Sequence, residues 1–209
     1  MTQNSEACQI KIITDAALHC AADKPWSQVT MKDIADKSDL DVTLIHKLVD
    51  NRSILLQWVW DELDKELIAE YSEIGQEDAE RHEKLFEAMM CRFDKMQDQR
   101  AAYLSIYHAA WKDPVFMKRF FTDIQDSMIN MLHFLKIDLS ILGTYHGSAL
   151  TLAILYTHVL RTWAEDESAD MSQTMAELDK RLGQIGGVYH KLQNFLGRGQ
   201  TTSNVAMSD

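Results

Sequence analysis

The residues best suited to binding chemistry are five hydrogen-bond donors that lie between positions 30 and 52. Two are hydroxyl groups, one is an imidazole and two are cations, and each can donate to a phosphate oxygen or to the edge of a nucleic-acid base. The five donors are Thr30, Thr43, His46, Lys47 and Arg52.

Catalytic and metal-binding motifs are absent from the sequence. No H-E-x-x-H, G-x-S-x-G or phosphate-binding glycine loop occurs, and the 8 histidines are scattered without paired ligand spacing. Cys8, Cys20 and Cys91 lack C-x-x-C spacing, so neither a zinc site nor a disulfide framework is indicated. We therefore expect a protein that is not an enzyme and that has no catalytic residues, no metal and no cofactor.

Three helical segments must position the five donors. Thr30 can cap a helix that carries Asp33 in its first turn, where the helix dipole favours a carboxylate. Turn-forming residues follow at 38–41, and apolar residues at 44, 45 and 48 then recur at the spacing of one buried helical face. A further helix begins at about Ser53. This pattern predicts a helix-turn-helix over residues 30–56, preceded by a helix from about 6 to 22.

The remaining sequence predicts more helices, because the chain holds only 2 Pro and 8 Gly in 209 residues and repeats its apolar residues at helical spacing. The helix from Ser53 is expected to expose its charged residues, Asp64 among them, to water. Further helices are predicted at about 79–97, 100–112, 114–135, 139–164 and from 170 or 172 onward. The fold class is therefore all-α, with an N-terminal helix-turn-helix module of three helices and a C-terminal helical bundle.

The segment KIITDAALHCAADKPWSQVTMKDIADKS and the following DLDVTLIHKLVDNRSILL resemble the tetracycline-repressor (TetR) family of bacterial regulators. The resemblance implies a ligand-responsive transcriptional regulator, in our expectation a repressor, which binds double-stranded DNA as a homodimer. It implies that the five donors contact DNA. It also implies that residues 1–55 form a helix-turn-helix DNA-binding domain and that residues 56–196 form a helical domain for ligand binding and dimerisation.

The helix-turn-helix departs from the usual pattern of that family. Asp39 replaces the usual turn glycine, and Val42 and Leu44 stand where family members often carry donors. Residues 1–56 hold six Lys or Arg against eight Asp or Glu, and the net charge of the whole chain is -11. Negative charge weakens the binding of nucleic acid unless a local basic patch compensates for it. The sequence therefore leaves DNA binding open.

A second resemblance implies a different class of function. The segment VLRTWAEDESADMSQTMAELDKRL, residues 159–182, is similar to the C-terminal signature of the ubiquinone-biosynthesis accessory lipid-binding family. It implies, as the alternative, a protein that does not bind DNA and holds an isoprenoid lipid for a partner enzyme. The same residues also suit a structural corner, because Asp166, Ser168 and Asp170 can cap the last helix.

A pocket for a hydrophobic small molecule or lipid is expected among the helices between Leu85 and Trp163. This region combines aromatic and methionine side chains with a few polar groups, which is the usual composition of a small-molecule site. Plain core packing is the alternative for each residue. The candidates are Tyr103, Tyr107, His108, Trp111, Phe120, Met128, Tyr145 and Tyr156.

The last helix carries the most regular apolar pattern, with residues at alternating spacings of three and four from Met175 to Leu196. Such a seam fits either a homodimer interface or a bundle within one chain. The expected interface residues are Leu178, Leu182, Ile185, Tyr189 and Leu192.

The ends of the chain complete these expectations. Residues 197–209 lack a periodic apolar face and are expected to form a disordered tail. No signal peptide is recognisable, and the longest apolar run is far shorter than the roughly 20 residues that span a bilayer. We expect a cytoplasmic protein without a transmembrane segment.

Overall fold

The computed structural model describes residues 2–49, 51–74, 79–137 and 145–203, which form helices with no β-strand among them. The all-α class predicted from the sequence is confirmed. A single-turn 3-10 helix at Trp26–Gln28 follows the first α-helix. The α-helices are α1 (Thr2–Asp23), α2 (Met31–Ser38), α3 (Val42–Leu48), α4 (Arg52–Ile74), α5 (Arg81–Asp98), α6 (Arg100–Lys112), α7 (Pro114–Phe134), α8 (Tyr145–Glu165) and α9 (Ser172–Ser203).

The predicted helix-turn-helix is present as α2, a turn and α3, packed beside α1. A small apolar core holds these helices and the first turns of α4 together. Its fully buried members include Ile13, Ala17, Trp26, Ile34, Ile45 and Leu55. We call residues 2–49 the head and the helices α4 to α9 the body.

Local hydrogen bonds define where the two short helices of the head begin. The N–H and the hydroxyl of Thr30 donate to the Asp33 carboxylate at 2.7 and 2.6 Å, and the Asp33 N–H donates to the Thr30 hydroxyl at 3.2 Å. Asp41 starts α3 by accepting from the Thr43 N–H at 2.6 Å. Caps of this kind contribute about 1 kcal/mol each to helix stability. The sequence pattern therefore locates both helix starts.

The body is a bundle in which α4 packs on α5 and α7, α7 packs on α8, and α9 packs against α5 and α8. Ring contacts connect its interior, with centroids 5.0 Å apart for Phe93 and Tyr156 and 5.6 Å apart for Trp60 and Phe120. Aromatic pairs at these separations stabilise a core beyond their burial alone. The large buried aromatic residues are Trp60, Phe93, Phe120, Tyr156 and Trp163.

Two side chains of the body hold the loop between α1 and α2. The Ser105 hydroxyl of α6 accepts from the Trp26 N–H at 2.8 Å and donates to the Lys24 carbonyl at 3.2 Å. Arg52, the first residue of α4, donates through Nη1 to the carbonyls of Trp26 and Ser27 at 3.0 and 2.8 Å. α6 also packs along α1. The position of the head is thus tied to both α4 and α6.

The structure differs from the sequence expectations at Asp64 and at the end of the chain. Asp64, expected to face water, is buried and forms an ion pair with Arg92 of α5. The helix α9 continues to Ser203, into the stretch 197–209 that was expected to be disordered; that stretch contains no proline to end a helix. The expected helix start near 139 and residues 204–209 lie outside the described residues.

One buried carboxylate organises the connection between α8 and α9. Asp166 accepts from the N–H and hydroxyl of Ser168 at 3.0 and 2.5 Å, and from those of Thr174 at 2.9 and 2.8 Å. Burial by itself raises the pKa of Asp166, but these hydrogen bonds outweigh burial and lower the pKa to about 2. The segment 159–182 therefore contains a structural corner.

We expect Asp166→Ala to lower the free energy of unfolding by about 2–3 kcal/mol, because the donors of Ser168 and Thr174 lose a charged acceptor. Urea unfolding at pH 7 measures this change. The pKa of about 2 lies below the ordinary aspartate value, so the contribution of the carboxylate is present above about pH 4 and is lost as the pH falls toward 2. The exposed neighbour variant Glu167→Ala should change stability by less than about 0.5 kcal/mol. Equal stability of the two variants would contradict this role.

Candidate functional site

The outer face of α3 presents three of the five predicted donors. Thr43, His46 and Lys47 are exposed and lie at the three- and four-residue spacing that places side chains on one face of a helix. The opposite face is fixed by Ile45, which is fully buried. The structure thus brings these three donors together on a surface that solvent, and therefore a duplex, can reach.

The other two predicted donors have partners within the protein, as does the Thr43 side chain, which bonds to Asp41. The hydroxyl of Thr30 donates to Asp33, so its hydrogen is used in the cap of α2. Arg52 uses Nη1 to hold carbonyls of the loop before α2, including the Val29 carbonyl at 3.4 Å. Arg52 is therefore a positioning residue for the helix-turn-helix in this structure, and its loss would disturb the head whether or not it also touches a phosphate.

Carboxylates occupy the N-termini of both short helices of the head. The pKa of Asp33 is lowered by its bond with the Lys24 ammonium, 2.5 Å away, and by its bonds with Thr30. The pKa of Asp41 is lowered by its hydrogen bonds with Thr43. A helix N-terminus is a favourable place for a phosphate because its N–H groups point outward. Here the caps already use some of these groups and add negative charge.

The turn between α2 and α3 contains a left-handed residue. Asp39 adopts the left-handed conformation, with φ 56° and ψ 29°. It stands at the turn position where the TetR family, which this sequence resembles, usually has glycine. An aspartate tolerates this conformation better than most residues but still pays a steric cost that glycine avoids. Its exposed carboxylate adds a negative charge two residues before Asp41, which caps α3.

The predicted ligand residues divide into two groups. The buried group surrounds the interior of the body, and Tyr103 and Phe120 there lie 5.8 and 5.6 Å from the Trp60 ring. His108 is exposed and Trp111 is 58% exposed, so both lie on the surface instead of in the expected pocket, because they project from α6 away from the body's core. The side chain of Tyr145 lies outside the described residues. The buried group is Tyr103, Tyr107, Phe120, Met128 and Tyr156.

A buried polar cluster that the sequence pattern did not predict lies at the centre of this interior. Arg92 is 0% exposed, contacts Asp64 as an ion pair and donates through Nε to the Tyr156 hydroxyl at 3.0 Å. The Ser127 hydroxyl donates to Asp64 Oδ1 at 2.8 Å. The Arg92 guanidinium also lies 5.2 Å from the centroid of the Trp60 ring. Arg92 follows the inward-facing Met89 by three residues, and this spacing indicates that both side chains lie on the same buried face of the helix.

The predicted interface residues on α9 are only partly accessible. Leu178 and Leu182 are buried against the protomer's own helices, which leaves them no exposed surface for a partner. Ile185 is half-buried, and the side chains of Tyr189 and Leu192 lie outside the described residues. A groove of about 430 Å³ beside them is lined by Thr151, Ile154, Leu155, His158, Arg181, Gln184 and Ile185.

The described part of the chain shows neither a metal-binding group nor a helix that could span a membrane. Across residues 2–49, 51–74, 79–137 and 145–203, His, Cys, Asp and Glu form no group of three that could hold a metal ion. Within the same ranges, no helix has the length and apolar character that crossing a membrane requires.

Solved structures resemble this fold closely. The TetR transcriptional regulator from Nitrosomonas europaea ATCC 19718 matches with a TM-score of 0.67 and 18% sequence identity over 84% of this chain and 96% of that chain. A TetR transcriptional regulator from Rhodococcus sp. RHA1 matches with a TM-score of 0.61 and 11% identity over 88% of this chain and 97% of that chain. No family model and no curated protein matches the sequence. At these identities the likeness is one of fold, and none of these matches is to the lipid-binding family suggested for residues 159–182.

We expect Asp39→Gly to raise the free energy of unfolding by about 0.5–1 kcal/mol, because glycine adopts the left-handed conformation without steric cost. Asp36→Gly is the matched control, since it removes the same charge from the interior of α2 and should destabilise the head by about 1 kcal/mol. Urea unfolding of the three chains measures both changes. A loss of stability in Asp39→Gly equal to that in Asp36→Gly would contradict the assigned backbone constraint.

Proposed function

We propose that the protein is a ligand-responsive transcriptional regulator, acting as a repressor, that binds double-stranded DNA as a homodimer through its helix-turn-helix. The observation that carries this proposal is the outer face of α3, where Thr43, His46 and Lys47 are exposed together. Two solved proteins with a similar fold are named as transcriptional regulators, which supports the same class of function. The recognition helix of such a module enters the major groove.

The surface formed by α8 and α9 supports the proposed homodimer. Leu150 and Ile154 are 40% and 57% exposed on α8, beside the groove of about 430 Å³. On α9, a Cβ atom built on Gly183 or Gly187 would meet nothing within 4 Å in the protomer. Glycine disfavours a helix by about 1 kcal/mol per residue, so packing within one chain does not explain these positions. Close approach of a second copy explains both the apolar surface and the glycines.

A dimer also suits the geometry of DNA. Successive major grooves lie roughly 34–36 Å apart on one side of the duplex, so two heads must be held at that separation to bind together. The loop bonds of Arg52 and Ser105 connect each head to α4 and α6 of its own body. A ligand that changes the packing of the body would therefore change the separation of the heads and release the operator.

A second candidate function rests on the charge of the head. Asp39 and Asp41 carry carboxylates in the turn before α3 and at its start, where they would repel a duplex. Asp33, by contrast, is paired with the Lys24 ammonium. The second candidate is a protein that does not bind DNA and that holds an isoprenoid lipid in its body for a partner enzyme. Such a protein would not need a positively charged head. The measurement of DNA binding decides between the two candidates.

We expect specific binding to the duplex that lies upstream of the protein's own coding sequence, with an affinity that falls as salt rises. Lys47→Ala should weaken this binding about three- to tenfold and lower the slope of log K against log salt concentration by about 0.9, because one phosphate contact is lost. Asp39→Gly should strengthen it, since a repelling charge is removed. Fluorescence anisotropy with a labelled duplex gives both quantities.

The matched control in this titration is Lys118→Ala, which removes an exposed lysine from α7 of the body and should leave the affinity unchanged. Binding no tighter than that of a scrambled duplex at low salt would overturn the regulator. The protein would then be extracted with organic solvent and the extract examined for a lipid, as the second candidate requires.

The dimer has its own test. Ile154→Arg places a charge on the exposed face of α8 and should convert the dimer to a monomer, because a buried unpaired cation opposes association. Val115→Arg is the matched control, since Val115 is 79% exposed at the start of α7, beside Trp26 and Arg52 and not in the groove between α8 and α9. Sedimentation equilibrium measures the mass of each, and circular dichroism confirms folding. A native chain that sediments as a monomer at micromolar concentration would contradict the proposed assembly.

A further inference from the structure

The buried polar cluster of the body joins four helices at one point. Arg92 comes from α5, Asp64 from α4, Ser127 from α7 and Tyr156 from α8. The ion pair of Arg92 with Asp64, the Ser127 bond of 2.8 Å and the Tyr156 bond of 3.0 Å connect all four side chains. This cluster lies among the buried aromatic residues named above as ligand candidates.

The charges within this cluster are balanced. Arg92 carries one positive charge and Asp64 one negative charge, and the two are in direct contact. A second anion placed beside them would be buried without a counter-charge, and burial of an unpaired charge is strongly unfavourable. The cluster is therefore unsuited to a carboxylate or phosphate ligand.

The hydrogen-bond donors in the cluster are not all used. Within the part of the chain that the structure describes, Arg92 Nη2 and Trp60 Nε1 are buried and have no hydrogen-bond partner. Both atoms are donors, and the guanidinium lies 5.2 Å from the Trp60 ring centroid. Buried unpaired donors cost about 1–3 kcal/mol each, so a bound acceptor would recover free energy here. Asp64 Oδ2 also lacks a partner, and a hydroxyl beside the acceptor would suit it.

The surroundings of these donors are aromatic and deformable. The Trp60 ring contacts Tyr103 and Phe120, and the Tyr156 hydroxyl lies 3.2 Å from the Met96 sulfur. These side chains are packed against one another, so a guest must displace some of them. Methionine is flexible and polarizable, and interiors that contain it repack around aromatic guests more readily than rigid ones. The fully buried methionines nearest in sequence to the cluster are Met89, Met96 and Met128.

We propose that this cluster binds a neutral aromatic carbonyl compound, whose oxygen accepts hydrogen bonds from Arg92 Nη2 and Trp60 Nε1. The rings of Trp60, Tyr103 and Phe120 hold its aromatic body. This inference rests on the proposed ligand-responsive regulator and names the class of its ligand. Asp64 lies on α4, and Arg52, the first residue of that helix, holds the loop of the head. A guest that shifts the Arg92 ion pair therefore acts on the head through α4.

Three probes of similar shape test the class of ligand by equilibrium dialysis against the full chain. Benzophenone carries the neutral carbonyl, diphenylmethane lacks the acceptor, and diphenylacetate carries a negative charge. The expected dissociation constant of benzophenone is at least about tenfold lower than that of either of the other two. Equal binding of benzophenone and diphenylmethane, tighter binding of diphenylacetate, or no saturable uptake of benzophenone would each overturn the proposal.

Two variants locate the binding. Trp60→Phe keeps an aromatic ring and removes the Nε1 donor, so the advantage of benzophenone over diphenylmethane should fall to less than about threefold. Arg92→Lys keeps the charge beside Asp64 and removes Nη2, with the same expected loss. Trp111→Phe, on the exposed surface of α6, is the matched control and should keep the full advantage.

The dialysis and the DNA titration test the proposed ligand class and the proposed regulator function separately. If Arg92→Lys fails to fold by circular dichroism, Trp60→Phe decides the test, and an unchanged advantage in that variant would overturn the site. The dialysis contains no DNA, so its result is independent of the anisotropy titration. Absence of a carbonyl preference with intact DNA binding would reject this inference alone, while absence of DNA binding with an intact preference would reject the regulator alone.

Discussion

The ion pair between Arg92 and Asp64 is the constraint on which the arrangement of the body depends. Taking two charges out of water is costly, and their attraction compensates only when other groups complete their hydrogen bonds. Ser127 and Tyr156 provide such bonds, and the Trp60 ring faces the guanidinium at 5.2 Å. Because these groups come from four helices, α4, α5, α7 and α8 cannot shift independently without leaving a charge unpaired. Loss of one partner from a buried pair typically costs about 3–5 kcal/mol.

The same helix α4 connects this constraint to the head. Its first residue, Arg52, donates to carbonyls of the loop between α1 and α2, while Asp64 lies three turns further along the helix. A helix is stiff over this distance, so a displacement at Asp64 reaches Arg52 with little loss. Ser105 holds the same loop from α6. The helix-turn-helix is thus held to the body by two attachments, one from α4 and one from α6.

Stability and nucleic-acid recognition make opposite demands on the head. Asp33 and Asp41 cap α2 and α3, and both carboxylates stay ionised because their hydrogen bonds lower their pKa. Those caps favour the two helices, yet an unpaired carboxylate at a helix start repels an approaching anion. The exposed donors Thr43, His46 and Lys47 act in the other direction. The DNA binding proposed for this head would therefore depend on a few opposed charges, which would make it sensitive to single substitutions and to salt.

The sequence by itself determined the features that depend on neighbours along the chain. The cap of Thr30 with Asp33, the cap of Asp41 and the Asp113–Pro114 boundary each involve residues within three positions, so helix starts and the all-α class could be predicted. Burial was decided only by the tertiary structure. Asp64 stands among charged residues of α4, so the sequence predicts that it faces solvent. In the structure it is buried, because α5 places Arg92 opposite to it. The sequence pattern predicts that Trp111 lies in the interior. In the structure it is exposed, because nothing in the described chain packs over that face of α6. A periodic pattern shows that a helix has an apolar side, but only the packed neighbour decides which polar residues that side also encloses.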